Sequence, residues 1–251
     1  MYRAAGAGPH PVAVFLHGFP GNEKNLDLAQ AVRRGGWDAI YFNYRGSWGS
    51  GGTFSFANAL EDVGTVLAWV RTPANASKYR LDPSRIAIIG HSFGGWLALL
   101  TVRKEPAPVC VAGLAAWNVG WRAQHLSEPA QREEVMSDLR ETTDPAGGPL
   151  RSTPEALFQE ISTATAEWDY LSAAGAASGR AVLLVAATRD TPDEDPAMHD
   201  RLARAMRAAG GKVRSVTLED DHPFSSSRLR LAELLVQWLN GDCARAQAAA
   251  R

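Results

Sequence analysis

Gly90-His91-Ser92-Phe93-Gly94 sets a serine between two glycines, directly after the apolar run at residues 86–89. A G-x-S-x-G pattern between a strand and a helix describes a sharp turn that exposes a serine hydroxyl. Side chains two residues to either side would crowd such a turn, so both places call for glycine. The helix that follows aims its N-terminus at the hydroxyl and favours negative charge developing there. The chemistry these residues point to is nucleophilic catalysis by Ser92.

A serine hydroxyl is a weak nucleophile and needs a base. Of the six histidines, His10 is N-terminal, His125 lies in an insertion and His199 opens a surface helix. His17 is expected to order its own loop by hydrogen bonding. His91 adjoins Ser92 but, as the preceding residue on the turn, should point elsewhere. His222, in Glu219-Asp220-Asp221-His222-Pro223-Phe224, follows the last strand and is last in chain order, as the base is in Ser, acid, His. The carboxylate that orients it is sought after the fifth strand. Asp190 is the first there, with Asp193 and Asp195 as alternatives that also read as an acidic helix entry. Asp220 and Asp221 read as turn residues. Two backbone amides must face the developing oxyanion. Phe93 supplies one, and Phe19, in His17-Gly18-Phe19-Pro20-Gly21, the other, since Pro20 has no N–H.

These residues need a scaffold that gathers them. Strands are predicted at residues 12–16, 38–42, 85–89, 109–115, 181–187 and 213–218, and helices at 25–34, 54–70, 93–103, 198–208 and 229–239. Several strands are apolar on both faces, so the fold class is α/β: a mostly parallel central sheet with helices on both faces. Right-handed crossovers then carry all strand C-terminal ends, at His17, Asn43, Gly90, Trp117 and Thr188, to one edge. Residues 1–116 and 180–251 form this core. Residues 117–179 are a helical insertion, with amphipathic stretches at 121–140 and 154–171 separated by a Pro/Gly break at 144–149, and are expected to cap the site. The tail at 244–251 is expected to fray.

The chain has 251 residues, 45% hydrophobic and 21% charged, which suits one large domain or one domain with an insertion. A formal net charge of −1 gives no support to a nucleic-acid or anionic-membrane partner. The two cysteines form no disulfide framework and no metal spacing. Cys110 reads as a buried small hydrophobe and Cys243 as incidental. With no signal peptide and no apolar stretch near the ~18 residues a bilayer requires, the chain reads as soluble and cytoplasmic.

With Ser92, Asp190, His222 and the loop at 17–21 in that order, the chain resembles the α/β-hydrolase family over residues 12–239. The glycine-rich stretch Asn43-Tyr44-Arg45-Gly46-Ser47-Trp48-Gly49-Ser50-Gly51-Gly52, together with Asp221-His222-Pro223-Phe224, is similar to the prolyl-oligopeptidase and dienelactone-hydrolase-like branch. The resemblance implies hydrolysis through a covalent acyl-enzyme with no metal or organic cofactor. The chain departs from the family where an antiparallel strand pair usually precedes the first strand predicted here, since eleven residues leave room for one short strand at most. It also carries no large N-terminal module of the kind oligopeptidases use to sieve peptides. On the family pattern Tyr44, Arg45, Trp48, Trp117, Asn118 and Trp121 are candidate substrate-binding residues, and Trp168 shares the region. The bland alternatives are core packing for each tryptophan and loop-pinning for Arg45. The expected activity is that of a carboxylesterase on small to medium acyl esters. Its rivals are a peptidase or amidase on the same triad, an acyltransferase, and a non-catalytic ligand-binding homologue. The expected partner is a small-molecule ester or amide, with a homodimer through cap helices or a sheet edge as a further candidate.

Overall fold

A computed structural model describes residues 1–105, 109–143, 147–164, 166–190 and 196–250, apart from the side chain of Pro196. Six strands, β1 (His10–Leu16), β2 (Asp38–Tyr41), β3 (Leu81–His91), β4 (Cys110–Leu114), β5 (Ala181–Arg189) and β6 (Lys212–Asp221), form one sheet in the order β2-β1-β3-β4-β5-β6. Every neighbouring pair is parallel. The double apolar character of the strands has the expected cause. Val12, Val14 and Leu16 face one core layer, and Ala13 and Phe15 face the other.

The second layer is covered by α1 (Leu26–Arg34) and α9 (Arg228–Trp238). Leu28, Ala29 and Val32 of α1 meet Leu231, Leu235 and Trp238 of α9 there, and each fully buried leucine or valine among them contributes about 1.5–3 kcal/mol. The first layer is covered by α2 (Phe56–Arg71), α4 (Phe93–Thr101) and α8 (Pro196–Ala208). Between α2 and β3 lies a short helix, α3 (Pro73–Tyr79), entered through Pro73 and closed by Arg80 in the left-handed region. Its seven residues include no buried one, so no apolar stripe announces it in the sequence.

The segment between β4 and β5 folds into α5 (Val119–His125), α6 (Pro129–Thr142), α7 (Pro154–Ser162) and two 3₁₀ turns, Ala166–Trp168 and Tyr170–Ala177. The expected single stretch at 121–140 is therefore two helices, because Pro129 starts a new one. Of the expected break at 144–149, residues 144–146 lie outside the described ones. Val119, Val135, Leu139, Leu150, Leu157, Ile161 and Tyr170 belong to the same apolar cluster as α2 and α4. The insertion also docks by backbone pairing on the glycine-rich loop. Trp48 N–H donates to Pro149 O (2.9 Å), Arg151 N–H to Gly46 O (2.7 Å) and Phe54 N–H to Arg151 O (3.0 Å). The Glu160 carboxylate accepts the first two amides of α2, from Phe56 and Ala57, each at 2.8 Å.

Both ends of the chain are tied to the sheet, the first within the room expected for one short strand and the second against expectation. Tyr2 pairs antiparallel with Ala39 through two 2.8 Å backbone bonds, so the N-terminus covers the outer edge of β2. The tail does not fray. After a π-type turn, Leu239–Cys243, it forms α10 (Ala244–Ala249), and the fully buried Gln247 donates to Ile86 O at 2.9 Å. The reason is covalent: Cys110 at the start of β4 is bridged to Cys243, 133 residues away. Cys110 is buried as expected, but Cys243 is half of a clasp rather than incidental. Disulfides persist chiefly in oxidising compartments, which weighs against the cytoplasmic location expected from the sequence. No helix among the described residues is long and apolar enough to cross a membrane.

Candidate active site

Three residues stand one position beyond three strand ends. Ser92 follows β3, Asp190 follows β5 and His222 follows β6. Arg189 and Asp221 are register partners across β5 and β6, so the two residues after them emerge side by side. His222 Nδ1 and Asp190 Oδ1 are 2.8 Å apart, with the Asp190 side chain almost wholly buried. A buried carboxylate at Nδ1 holds the proton on that nitrogen and leaves Nε2 unprotonated, as a base must be.

The distance from β6 to β3 is three strand spacings, about 14 Å. The turn after β6 therefore has to fold back across the tips of β5 and β4, and it does. The carbonyl of His222 lies 2.9 Å from His91 Nε2, and the two imidazole centroids are 4.7 Å apart. His222 is thereby brought against the residue that directly precedes the nucleophile.

The elbow itself is sterically determined. Ser92 has φ 55° and ψ −124°, outside the regions open to ordinary L-residues. Its carbonyl accepts the amides of Gly95 (2.8 Å), Trp96 (3.2 Å) and Trp117 (3.1 Å), and its own amide donates to Leu114 O (2.9 Å). A Cβ on Gly90 would collide with the carbonyl of Gly94. One on Gly94 would collide with the carbonyl of Leu16, at the tip of β1. Glycine is needed at both places because backbone passes through the space a methyl group would fill.

The loop after β1 closes on the same point. A Cβ on Gly18 would stand 3.1 Å from Ser92 Cβ and 3.6 Å from its Oγ, so this turn packs directly on the nucleophile. His17 is buried, and its Nδ1 donates to Gly18 O at 2.8 Å. Burial, partly offset by that bond, lowers its pKa to about 4, with Lys24 adding to the depression. It is a neutral brace for the loop. Phe19 follows Gly18 on this loop, and Phe93 follows Ser92 as the first residue of α4. Among the described residues neither amide makes a backbone hydrogen bond outside the helices and strands.

The candidate substrate-binding residues divide. Tyr44 is fully buried, with its hydroxyl donating to His17 O (2.8 Å) and its ring 4.2 Å from that of His17. It supports the loop rather than lining a pocket. Asn118 is likewise fully buried. Its Oδ1 accepts from Trp121 N (3.3 Å) and Tyr170 N (3.2 Å), and its Nδ2 donates to Asp169 (2.9 Å). It caps α5 and ties the insertion together. Arg45 is turned onto α2, where it meets Asp62 (2.5 Å), Glu61 (2.8 Å) and the carbonyl of Asn58 (3.1 Å). It pins the glycine-rich loop instead of pointing a free cation at substrate.

Trp48 remains accessible at 37% exposure. Its Nε1 donates to Pro20 O (2.8 Å), and Lys24 Nζ stands 4.7 Å over its ring. It borders a groove of about 480 Å³ between Gly46, Gly49, Ser50, Pro149 and Arg151. Trp117 is partly exposed next to the elbow, 6.2 Å from Phe19 and 6.4 Å from Phe93 between ring centroids. The Trp121 ring is tilted by 31° against that of His125, with centroids 3.9 Å apart. Sequence reasoning missed Phe54 and Phe56. Both are buried, and they complete an aromatic wall with Phe19, Phe93 and Trp117. Two aromatics at the mouth of a helix carry no motif, and only the loop's return to Ser92 reveals them. Asp193 and Asp195, the alternative acids, lie outside the described residues. Among the described residues no group of three or more His, Cys, Asp or Glu is placed to hold a metal ion.

A parallel sheet with a serine elbow, a carboxylate-bound histidine and a glycine-rich loop meeting at the strand ends defines an α/β-hydrolase-type site. The model of the alpha/beta hydrolase family matches residues 13–234, and the chain belongs to that family. It is 30% identical to the uncharacterized protein RP471 of Rickettsia prowazekii over 112 residues, 42% of this chain and 44% of that one. It is 28% identical to lysophosphatidylserine lipase ABHD12 of Danio rerio over 106 residues, 41% of this chain and 26% of that one. The matched segment thus spans less than half the length of these curated relatives. Among solved structures, an esterase of Rhizomucor miehei superposes with TM-score 0.68 at 17% identity, covering 96% of this chain and 76% of that one.

Proposed function

We propose that the protein is a serine hydrolase that cleaves carboxylic esters of small to medium acyl groups through an acyl-enzyme. Ser92 Oγ attacks the ester carbonyl while His222 Nε2 takes its proton. Asp190 holds the imidazole tautomer and stabilises the imidazolium. The amides of Phe19 and Phe93 receive the oxyanion, a contribution of about 3–4 kcal/mol per donor. Collapse expels the alcohol, protonated by His222. Water, deprotonated by the same nitrogen, then attacks the acyl-enzyme and releases the acid and Ser92. The observation that carries the reading is the 2.8 Å Asp190–His222 bond, made by a turn that reaches back to the serine elbow.

The choice of ester over amide is supported by the names of similar proteins, an esterase and a lysophosphatidylserine lipase. The partly exposed rings of Phe19 and Trp117 offer an acyl chain an apolar surface beside the elbow, and the groove along Trp48 a place for the alcohol. Hydrolysis of p-nitrophenyl acetate and butyrate tests the proposal. Ser92→Ala should lose roughly 10⁴-fold or more of turnover, and retention of activity in that variant would refute the assignment. A higher kcat/KM for chromogenic aminoacyl amides than for these esters would transfer the reading to a peptidase or amidase.

A further inference from the structure

His91 has no part in the chemistry above, yet it is fully committed to the residue that does the proton transfer. Its Nε2 stands 2.9 Å from the main-chain oxygen of His222. A carbonyl can only accept, so the proton is on Nε2 and Nδ1 is bare. Nδ1 is buried and makes no hydrogen bond among the described residues. The ring is 4% exposed, 4.7 Å from the ring of His222 and 6.2 Å from that of Phe224. His91 is also the last residue of β3, so its backbone is locked in the sheet next to Leu114 of β4.

We propose that His91 is the positioning residue for the general base: a neutral imidazole that ties the His222 turn to the nucleophile's own strand and sets the distance between base and nucleophile. The proposal deepens the hydrolase reading and rests on it. The Asp190 bond fixes the rotation of the His222 ring. The His91 bond adds a direct restraint toward the nucleophile, because one end sits one residue before Ser92 and the other on the base itself. Arg228 holds the next carbonyl, that of Pro223, at 2.9 Å, so two consecutive peptide units of this turn are clamped. Neutrality matters because His222 becomes cationic in each half of the reaction. Burial first, and then the charge of His222, lower the pKa of His91 to about 3, with Arg228 acting in the same direction and the bond to the His222 carbonyl and Asp190 against it. A second cation therefore does not form beside the imidazolium.

The test compares His91→Gln, whose Nε2 can reach the same carbonyl, with His91→Asn, of the same chemistry but too short, and with His91→Leu, which has no donor. Each is followed by kcat and KM for p-nitrophenyl butyrate, by the rate of labelling with a fluorophosphonate, and by Tm. The expected result is a fall in kcat and labelling rate of about 10–100-fold for Asn and Leu, with KM within about threefold. Gln should recover most of the loss at a Tm equal to that of Asn. Equal rates for Gln and Asn, whether both near wild type or both slow, would overturn the proposal. Should Leu fail to fold, the Gln–Asn pair decides alone. Wild-type protein that takes up no fluorophosphonate and cleaves no ester would instead sink the hydrolase reading, and the role of His91 with it.

Discussion

The elbow that carries Ser92 and the turn that carries His222 are both tight turns at the end of a strand, yet different forces hold them. The elbow is made by exclusion. Gly90 and Gly94 are there because the carbonyls of Gly94 and Leu16 fill the space where side chains would begin. The turn is made by attraction. The buried Asp220 accepts the amides of Asp221 (2.9 Å) and Ser226 (3.1 Å), Asp221 accepts that of Ser225 (2.7 Å), and Arg228 and His91 hold the carbonyls. Phe224, at φ 58° and fully buried, plugs the turn into the core. A turn defined by sterics has few solutions and fails abruptly when one atom is added. A turn defined by hydrogen bonds loses its bonds one at a time.

The sharpest way to break this contrast is Gly94→Ala. The new methyl would strike the carbonyls of Leu16 and His17, which belong to rigid strand-end backbone. The elbow must shift, and displacement of a catalytic group by about 1 Å costs on the order of 100-fold in rate. Overpacking against backbone adds about 3 kcal/mol of destabilisation. Ester turnover and urea unfolding should both show the loss. An alanine variant with wild-type activity would mean that the elbow is not sterically closed.

The same contrast explains what could be read in the sequence. Exclusion leaves a mark at fixed spacing, so Ser92 and both glycines were legible, and with them the parallel sheet whose strands are apolar on both faces. Asp190 and His222 were legible only through chain order and strand ends. Attraction leaves no such mark. Asp220 read as one more turn residue, and His91 as a neighbour facing away. Tyr44 and Asn118 were candidates for substrate contact because a polar group near a loop looks the same whether it faces solvent or backbone. The Cys110–Cys243 clasp was invisible for a related reason: two cysteines 133 residues apart carry no spacing signal, and only the docking of α10 under β3 brings them together.

Asp220→Asn should produce a smaller, graded effect on the His222 turn. Burial raises the Asp220 pKa, but the hydroxyl and amide of Ser227 and the amides of Asp221 and Ser226 outweigh it and leave the pKa at about 2. A carboxyl whose pKa is lower folded than unfolded stabilises the native state at pH above its unfolded value, near 4. That contribution disappears as pH falls through 2. The shift corresponds to about 2 kcal/mol. Urea unfolding of wild type should lose about this much between pH 5 and pH 2 relative to Asp220→Asn, and the two proteins should converge at the acid end. Parallel pH profiles would show that the turn does not depend on the charge of Asp220.

The smallest effect should have the opposite sign. Gly64 lies inside α2, and a Cβ built on it meets nothing within 4 Å. No positive φ requires glycine there, and its freedom in the unfolded chain only costs stability. Gly64→Ala should therefore stabilise the protein by about 0.5–1 kcal/mol, with ester turnover unchanged, since α2 meets the aromatic side chains beside the elbow through Phe56, two turns away. A rise in urea midpoint for Gly64→Ala beside the collapse of Gly94→Ala would show that closure by backbone, rather than the presence of glycine, is what holds the elbow. Destabilisation of both by similar amounts would remove the distinction between exclusion and attraction, because a methyl group would then be harmful wherever it was added.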